Sequence, residues 1–300
     1  MEKNQDNNYQ KMNINWYPGH MAKTKRQIIE DLKIIDVVVE LLDARIPISS
    51  RNPDIQTITK NKRKIILLNK SDLADENINT KWVQYLSKEA ITILTDANSG
   101  KGINKLTKAI DDLMKEEKER QAARGRVNKT IRVMILGIPN VGKSSLINRL
   151  SKKNTTEVGN RPGVTKQKQW IRIGQNQELM DTPGVLWPKF GNEEISLNLA
   201  YTGTIKDDLL PRTEIAYELL KKLYSEYKEN LIMRYKITED EIKEIEKTED
   251  NFIYALMQLI AKKRGALLSG GVPDDEKVSR IILDDFRNGK LGKISLERPQ

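Results

Sequence analysis

Residues 137–144 read Gly-Ile-Pro-Asn-Val-Gly-Lys-Ser, and this stretch decides the fold. It has the form G-x-x-x-x-G-K-[ST], follows an apolar run of strand length at 131–136, and precedes a helical pattern at 145–150. Glycines in such a turn let backbone N–H groups curl around phosphate oxygens, and the N-terminus of the next helix adds its positive dipole end. The stretch therefore predicts a phosphate-binding loop at the end of a buried strand in an α/β domain.

The residues of this loop have separate predicted roles. We expect Lys143 to reach the β- and γ-phosphates of a nucleotide and so to act in catalysis. The Ser144 hydroxyl is expected to bind Mg²⁺. Val141, Gly142 and Ser145 complete the predicted contacts with the nucleotide.

The composition excludes several classes of protein. The chain has 300 residues, enough for two domains, and no run of about 18 apolar residues, so we expect no membrane-spanning segment. It has no cysteine, which rules out a thiolate metal site and a cysteine nucleophile. Residues 1–13 are polar and lack a signal-peptide pattern. These features favour a cytoplasmic protein.

Positive charge is concentrated in the first two thirds of the chain. The net charge is +10, and residues 1–203 hold 34 Lys and Arg against 23 Asp and Glu, whereas residues 204–300 hold 18 against 19. Such a surplus is expected to attract a polyanion. The alternative is a lysine-rich solvated surface with no partner.

Alternating strand and helix patterns predict a parallel sheet with helices on both faces. We expect a flexible tail over 1–13, an α/β domain over 14–203 and an all-helical domain over 204–300. The highly charged stretch 115–129 is predicted to be a helix end that runs into a linker.

A second motif, Asn69-Lys70-Ser71-Asp72, directly follows an apolar run at 64–68. Ligands of open α/β sheets bind at such carboxyl ends of strands. Asp72 can accept hydrogen bonds from two donors of guanine, a pair that adenine does not offer. We expect Asn69 to meet the O6 and N7 side of the base, and the stem of Lys70 to lie over the nucleotide.

The loop after a third apolar run, at 90–94, is predicted to complete the guanine pocket. Asp96 and Ala97 lie there, and we expect the backbone N–H of Ala97 to touch guanine O6. The predicted substrate is therefore GTP. An ATP-using enzyme with a chance N-K-x-D match is the alternative.

Residues 181–184 read D-T-P-G and predict the part of the site that senses the γ-phosphate. In this D-x-x-G motif, we expect Asp181 to bind Mg²⁺ through water and the Gly184 N–H to contact the γ-phosphate. Thr165 is predicted to be the second hydroxyl ligand of Mg²⁺ and to serve catalysis, with Thr156 as its competitor.

The order of these motifs along the chain is unusual. In common GTPases the phosphate loop comes first and N-K-x-D follows, whereas here N-K-x-D precedes the phosphate loop. Two half-sites in separate domains would each need a full sheet, and residues 14–203 are too few for that. The sequence therefore predicts a circularly permuted P-loop GTPase domain, with 115–129 joining the former termini.

In the order of its motifs, the chain resembles the ribosome biogenesis GTPase A family of circularly permuted GTPases. The resemblance covers about residues 14–300 and is carried by the permuted order and by four segments: W-Y-P-G-H-M at 16–21, L-D-A-R-I-P at 42–47, S-R-N-P at 50–53 and P-N-V-G-K-S at 139–144. It implies a GTP hydrolase that acts in late assembly of the large ribosomal subunit and whose helical domain contacts ribosomal RNA. Neither DNA nor a membrane is an expected partner.

Two residue roles come from the resemblance alone. The residue after the D-x-x-G motif is Val185, where Ras-like GTPases place a glutamine that orients water. The resemblance implies that His20 serves as the catalytic residue instead, although a structural role is the alternative for this single histidine. It also implies that Asn140 helps to hold K⁺ beside the phosphates, against the alternative of an ordinary loop asparagine.

A different class of function stays open at this point. In place of an enzyme, the chain could be a GTP-dependent RNA-binding scaffold in which hydrolysis is incidental. Stimulation of GTP turnover by ribosomal subunits distinguishes these two hypotheses, and nucleotide competition tests the ATP alternative.

Overall fold

A computed structural model of the chain describes residues 20–125, 129–153, 170–182, 184, 193–205 and 207–299, without the side chains of residues 20–22, 152, 153 and 209. Its centre is a six-stranded sheet. The strands are β1 (Val37–Asp43), β2 (Arg63–Asn69), β3 (Ile91–Leu94), β4 (Ile131–Leu136), β5 (Trp170–Gly174) and β6 (Gln177–Met180). Their order across the sheet is β3-β2-β1-β4-β6-β5.

The strands at the centre of the sheet are buried on both faces. All seven residues of β1 are buried, as are the last five of β2, because these runs are rich in Val, Ile and Leu. All neighbouring strands are parallel except β5, which runs antiparallel to β6. A parallel sheet of this kind needs helices on both faces. It also brings the carboxyl ends of β1, β2, β3 and β4 to one edge.

The strand order confirms the predicted permutation. The N-terminal strands β1, β2 and β3 form one half of the sheet, and the chain then returns to the centre to place β4 beside β1. The return passes through the predicted linker, most of which is helical, while residues 126–128 lie outside the described part. The phosphate loop after β4 therefore lies next to the ends of β1 and β2.

The first domain carries seven helices in the part of the chain that the structure describes. They are α1 (His20–Leu32), α2 (Pro53–Thr59), α3 (Glu76–Leu86), α4 (Asn104–Leu113), α5 (Lys115–Ala123), α6 (Lys143–Lys153) and α7 (Glu193–Tyr201). Sequence patterns did not predict α2, a short helix that begins with Asn52 as N-cap. The sequence pattern over 103–119 favours one helix, whereas the structure has two helices that meet at Met114, where the backbone leaves helical geometry (φ −99°, ψ 3°).

The C-terminal part is helical as predicted. It comprises α8 (Arg212–Tyr235), α9 (Glu239–Thr248), α10 (Phe252–Arg264) and α11 (Asp275–Arg287). One face of α10 is core, because Leu256, Met257 and Ile260 are each no more than 1% exposed. The helix α8 is kinked at Tyr227, whose φ of −139° is not helical.

The chain end returns to the first domain after α11. The Ile294 N–H donates to the Leu73 carbonyl at 2.9 Å, and the Leu296 N–H donates to the Arg45 carbonyl at 2.9 Å. The predicted boundary between the domains at 203/204 stays a prediction. Within the described residues, no helix is both long enough and apolar enough to cross a membrane.

Candidate nucleotide-binding site

The phosphate loop has the backbone that its glycines predict. It connects the end of β4 to the start of α6, so the N-terminus of α6 faces the loop. Gly142 has a φ of +101°, and a Cβ there would stand 2.2 Å from Asn69 Nδ2. Only glycine fits such a close approach in the left-handed region. The glycine therefore lets the phosphate loop touch the end of β2.

Lys143 is a partly buried cation of the loop. Burial lowers the pKa of its ammonium group to about 8, and the nearby Asp181 carboxylate opposes that shift. Removing an ammonium group from water favours its neutral form, whereas a negative partner favours the charged form. An anionic ligand would therefore stabilise the charged form of the Lys143 side chain. Ser144 and Ser145, beside it in the first turn of α6, are exposed.

Asn69 forms hydrogen bonds within the protein, and its contact with guanine O6 and N7 stays a prediction. Its side chain is 2% exposed, and its Nδ2 donates to the Val141 carbonyl at 2.8 Å. Its Oδ1 accepts from the Ala97 N–H at 3.0 Å and from Thr95 Oγ1 at 3.4 Å. Both ends of the amide are therefore used within the protein. Asn69 ties the phosphate loop to the loop after β3.

Ala97 belongs to the same network. Its N–H donates to Asn69 Oδ1 and the residue is 5% exposed, while the contact of this N–H with guanine O6 stays a prediction. Asp96 is an organising residue of the same loop, because its carboxylate accepts from the Asn98 N–H at 2.8 Å. Burial favours its neutral form, but hydrogen bonds from Ser99 and Asn98 outweigh burial and lower its pKa.

Lys70 and Asp72 lie at the end of β2 in different environments. Lys70 has a φ of +58°, and its Nζ lies 3.2 Å from Asp43 Oδ2. Asp72 is exposed, as a side chain that reads a base must be before the ligand arrives. Partial burial raises the pKa of the Asp72 carboxyl, and the neighbouring Asp96 charge adds to that rise.

The D-x-x-G motif approaches the phosphate loop closely. A Cβ at Gly184 would stand 2.9 Å from the Pro139 nitrogen and 3.2 Å from Lys143 Nζ. Only a glycine therefore allows this segment to lie where the terminal phosphate is expected. Asp181, directly after β6, is exposed and close enough to Lys143 to influence its pKa.

These elements line one cleft of about 460 Å³. Its walls contain ten of the predicted site residues together with Asn98 and Pro139; the ten are Asn69, Lys70, Asp96, Ala97, Asn140, Gly142, Lys143, Ser144, Ser145 and Gly184. Val141 is buried behind the loop, and Asp72 and Asp181 stand outside the lining. Thr165 and the side chain of His20, which begins α1, lie outside the described residues.

The oxygen donors of the cleft fit magnesium. No group of three or more His, Asp and Glu side chains in the described part of the chain could hold a metal ion. Among the described residues, the oxygen donors in or beside the cleft are the Ser144 hydroxyl and the Asp181 carboxylate. Mg²⁺ takes one or two protein ligands and fills its shell with water and substrate phosphate oxygens, so this small donor set suits it.

Sequence reasoning missed the residues that hold the loops in place. Thr95 is fully buried and donates to Asn69, yet nothing in its local sequence marks it. Asp43 approaches Lys70 from the end of the neighbouring strand, in register with Asn69. The available signals were its place at the end of an apolar run and within the segment L-D-A-R-I-P at 42–47, neither of which names its partner.

Comparisons with known proteins agree with this geometry. The family model described as "50S ribosome-binding GTPase" matches residues 132–256. The chain is 46% identical over 290 residues to ribosome biogenesis GTPase A of Bacillus licheniformis, covering 96% of this chain and 99% of that protein. It is 32% identical over 299 residues to mitochondrial ribosome-associated GTPase 1 of Bos taurus, covering 94% and 88%.

Solved structures of a Thermotoga maritima protein match as well. GNP-bound YlqF has a TM-score of 0.63 at 29% identity, covering 93% of this chain and 99% of that one. GDP-bound YlqF has a TM-score of 0.66 at 27% identity, covering 91% and 99%. Because they cover 91% or more of this chain, both matches span the sheet and the helical part.

Proposed function

The chain belongs to the ribosome biogenesis GTPase A family, and from this premise we propose that it hydrolyses GTP as a switch in late assembly of the large ribosomal subunit. It is a circularly permuted GTPase with a role in ribosome assembly. The observation that carries the proposal is one cleft in which two motifs meet. There Asn69 joins the N-K-x-D motif at 69–72, the guanine-specific segment, to the phosphate loop. The large subunit, its RNA and a cytoplasmic location are the finer parts of the proposal.

Several side chains of the cleft have defined parts in hydrolysis. Lys143 binds the β- and γ-phosphates and balances their charge, and the N-terminus of α6 directs backbone N–H groups at them. Ser144 and Asp181 are the described residues that would hold Mg²⁺, with Thr165 as a further ligand. The metal neutralises charge that develops on the phosphate oxygens. Gly184 brings its N–H to the γ-phosphate.

His20 is the proposed catalytic residue. The chain has Val185 after the D-x-x-G motif, and a valine side chain has no group that can orient the attacking water. We therefore expect slow turnover by the isolated protein. Turnover is expected to rise when the pre-ribosomal particle binds and His20 reaches the γ-phosphate.

Asn140 is the proposed ligand of K⁺. Its φ is +60°, and its Nδ2 donates to the Gly203 carbonyl at 2.6 Å. That bond directs the amide nitrogen towards the end of α7 and leaves the side-chain oxygen as the atom suited to a cation. The same bond links the phosphate loop to the segment that precedes the helical domain.

Exposed cations support RNA as the proposed partner of the helical domain. Among the described residues, Lys262, Arg264 and Arg280 are exposed and have no carboxylate partner. Arg287, by contrast, binds Asp207 through both ends of its guanidinium group and so serves the protein itself. The unpaired cations can neutralise RNA phosphates, which makes binding sensitive to salt.

Sedimentation with purified large ribosomal subunits tests the proposal. We expect co-sedimentation with a non-hydrolysable GTP analogue to exceed that with GDP at the same salt concentration, and the subunits to raise the rate of GTP hydrolysis. ATP in excess should leave GTP binding unchanged. Binding to the subunits without any stimulation of hydrolysis would favour the scaffold alternative, and equal competition by ATP would refute guanine specificity.

A further inference from the structure

The motif L-D-A-R at 42–45 has no part in the function proposed above, yet it contains two deeply buried charges. Asp43 is 2% exposed and Arg45 is 1% exposed, at the end of the central strand β1. A buried ion pair is weak evidence for stability, because its desolvation can outweigh its attraction. The position of this pair, one strand away from the guanine-specific segment, points to another role.

The Asp43–Arg45 ion pair also binds the side chain of Lys70, through the Asp43 carboxylate. Arg45 Nε donates to Asp43 Oδ1 at 3.0 Å, and Arg45 Nη2 donates to Asp43 Oδ2 at 2.8 Å. The Lys70 ammonium group lies 3.2 Å from the same Asp43 Oδ2. Burial would raise the pKa of Asp43, but the charges of Arg45 and Lys70 hold it well below its usual range. Asp43 therefore stays ionised and anchors the end of Lys70.

The backbone of Lys70 needs such an anchor. Its φ of +58° lies in the left-handed region, which a residue with a Cβ adopts only at a cost. Strained residues of this kind persist where their surroundings fix them. The ammonium group bound to Asp43 fixes one end of the residue, and the Lys70 carbonyl, which accepts from the Leu73 N–H at 3.0 Å, fixes the other.

The helical domain contacts Arg45 and the turn that follows Asp72. The Arg45 guanidinium lies 5.1 Å from the ring centre of Phe286 on α11, within the range of a cation–π contact. The Arg45 carbonyl accepts from the Leu296 N–H. A second contact reaches the turn after Asp72, because the Ile294 N–H donates to the Leu73 carbonyl.

We propose that Asp43 and Arg45 are positioning residues for guanine-nucleotide binding, which fix Lys70 over the nucleotide only while residues 286–296 are docked against them. The inference rests on the proposed function, since it assumes that Lys70 contacts the nucleotide. It adds that the rate of nucleotide dissociation depends on the docking of the helical domain. A partner that pulls residues 286–296 away would release the nucleotide faster, and bound nucleotide would strengthen their docking in return.

Dissociation of a fluorescent GDP derivative from the full chain tests the proposal. We expect Asp43→Asn to speed dissociation at least tenfold. The matched control is Glu40→Gln, which removes a buried carboxylate from the same strand and breaks its 3.1 Å ion pair with Arg51. In a Lys70→Met background, Asp43→Asn should add little, since the two changes act through one contact.

A second pair of variants keeps the test decisive if Asp43→Asn does not fold. Phe286→Leu should speed dissociation about threefold, whereas Phe252→Leu, which removes a ring that packs on Tyr224 elsewhere in the helical domain, should not. Unchanged dissociation in both Asp43→Asn and Phe286→Leu would overturn the inference alone. A wild-type chain that binds no GDP would overturn the proposed function as well.

Discussion

Replacement of Asn69 by alanine should separate nucleotide binding from folding. The substitution removes the acceptor of the Ala97 N–H and the donor to the Val141 carbonyl, both of which are buried. Each buried polar group left unpaired costs about 1–3 kcal/mol, so the native state should lose about 2–6 kcal/mol in total. A protein of typical stability, about 5–15 kcal/mol, stays mostly folded after this loss unless it lies at the lower end of that range.

The loss of GTP affinity follows from the same bonds. Nucleotide binding requires the phosphate loop and the loop after β3 to be in place together, and Asn69 is the residue that bonds to both. If holding them without Asn69 costs about 2 kcal/mol at the moment of binding, affinity falls roughly 30-fold. Fluorescence titration with a GTP derivative measures this change, and urea unfolding measures stability in parallel.

Asn52→Ala is the matched control. Asn52 is also a buried asparagine, 1% exposed, but it caps α2 by accepting from the Asp54 N–H at 2.9 Å. Loss of such a cap costs about 0.5–2 kcal/mol of stability and should leave GTP affinity unchanged. If Asn69→Ala binds GTP within threefold of the wild type, the role assigned to Asn69 is wrong.

Four further predictions concern the other residues of the site. Asp72→Asn should lower GTP affinity and shift preference towards xanthine nucleotides, measured by competition; full retention of GTP affinity would contradict the role of Asp72. His20→Ala should cut subunit-stimulated turnover by about 10²-fold or more with nearly unchanged GTP affinity, the pattern of a group that acts only in the transition state; equal losses of both would indicate a structural role. Gly184→Ala should lower the hydrolysis rate more than it lowers GDP affinity, because the added Cβ collides with the Pro139 nitrogen where the γ-phosphate segment approaches; wild-type single-turnover kinetics would argue against this placement. Because the pKa of Lys143 is about 8, its charge is lost as pH rises through that value, so GTP affinity should fall above pH 8 and binding at pH 8–9 should take up a proton; calorimetry in buffers of different ionisation enthalpy that detects no uptake would refute it.

The sequence predicted the parts of the fold that local patterns encode. The strand 131–136 is found with those bounds, and the runs 64–68 and 90–94 differ from β2 and β3 by one residue at their ends, because long buried runs mark strands well. The break at Met114 escaped prediction because the helical pattern continues through it. The helix α2 escaped because seven residues are too few for a clear period.

The motifs of the site could be predicted from the sequence, but the hydrogen bonds that connect them could not. Glycine spacing and the order of motifs located the phosphate loop and the guanine-specific segment, since each function depends on residues close together in the chain. The bonds of Asn69 reach residues 28 and 72 positions away. No local pattern signals such partners. Sequence reasoning therefore predicted the contact of Asn69 with the base, which stays a prediction, but not its bonds within the protein.

The contact between the chain end and the first strands affects how the protein matures during synthesis. The Ser49 N–H donates at 2.9 Å to the Glu297 carboxylate, across 248 positions of sequence. Domains form from the N-terminus as the chain is made, so β1, β2 and the guanine-specific segment are complete long before this carboxylate exists. A nascent chain therefore carries the guanine-specific segment early and gains the support of Glu297 only after residue 297 has been made. Firm nucleotide binding should begin only once this part of the chain has been synthesised.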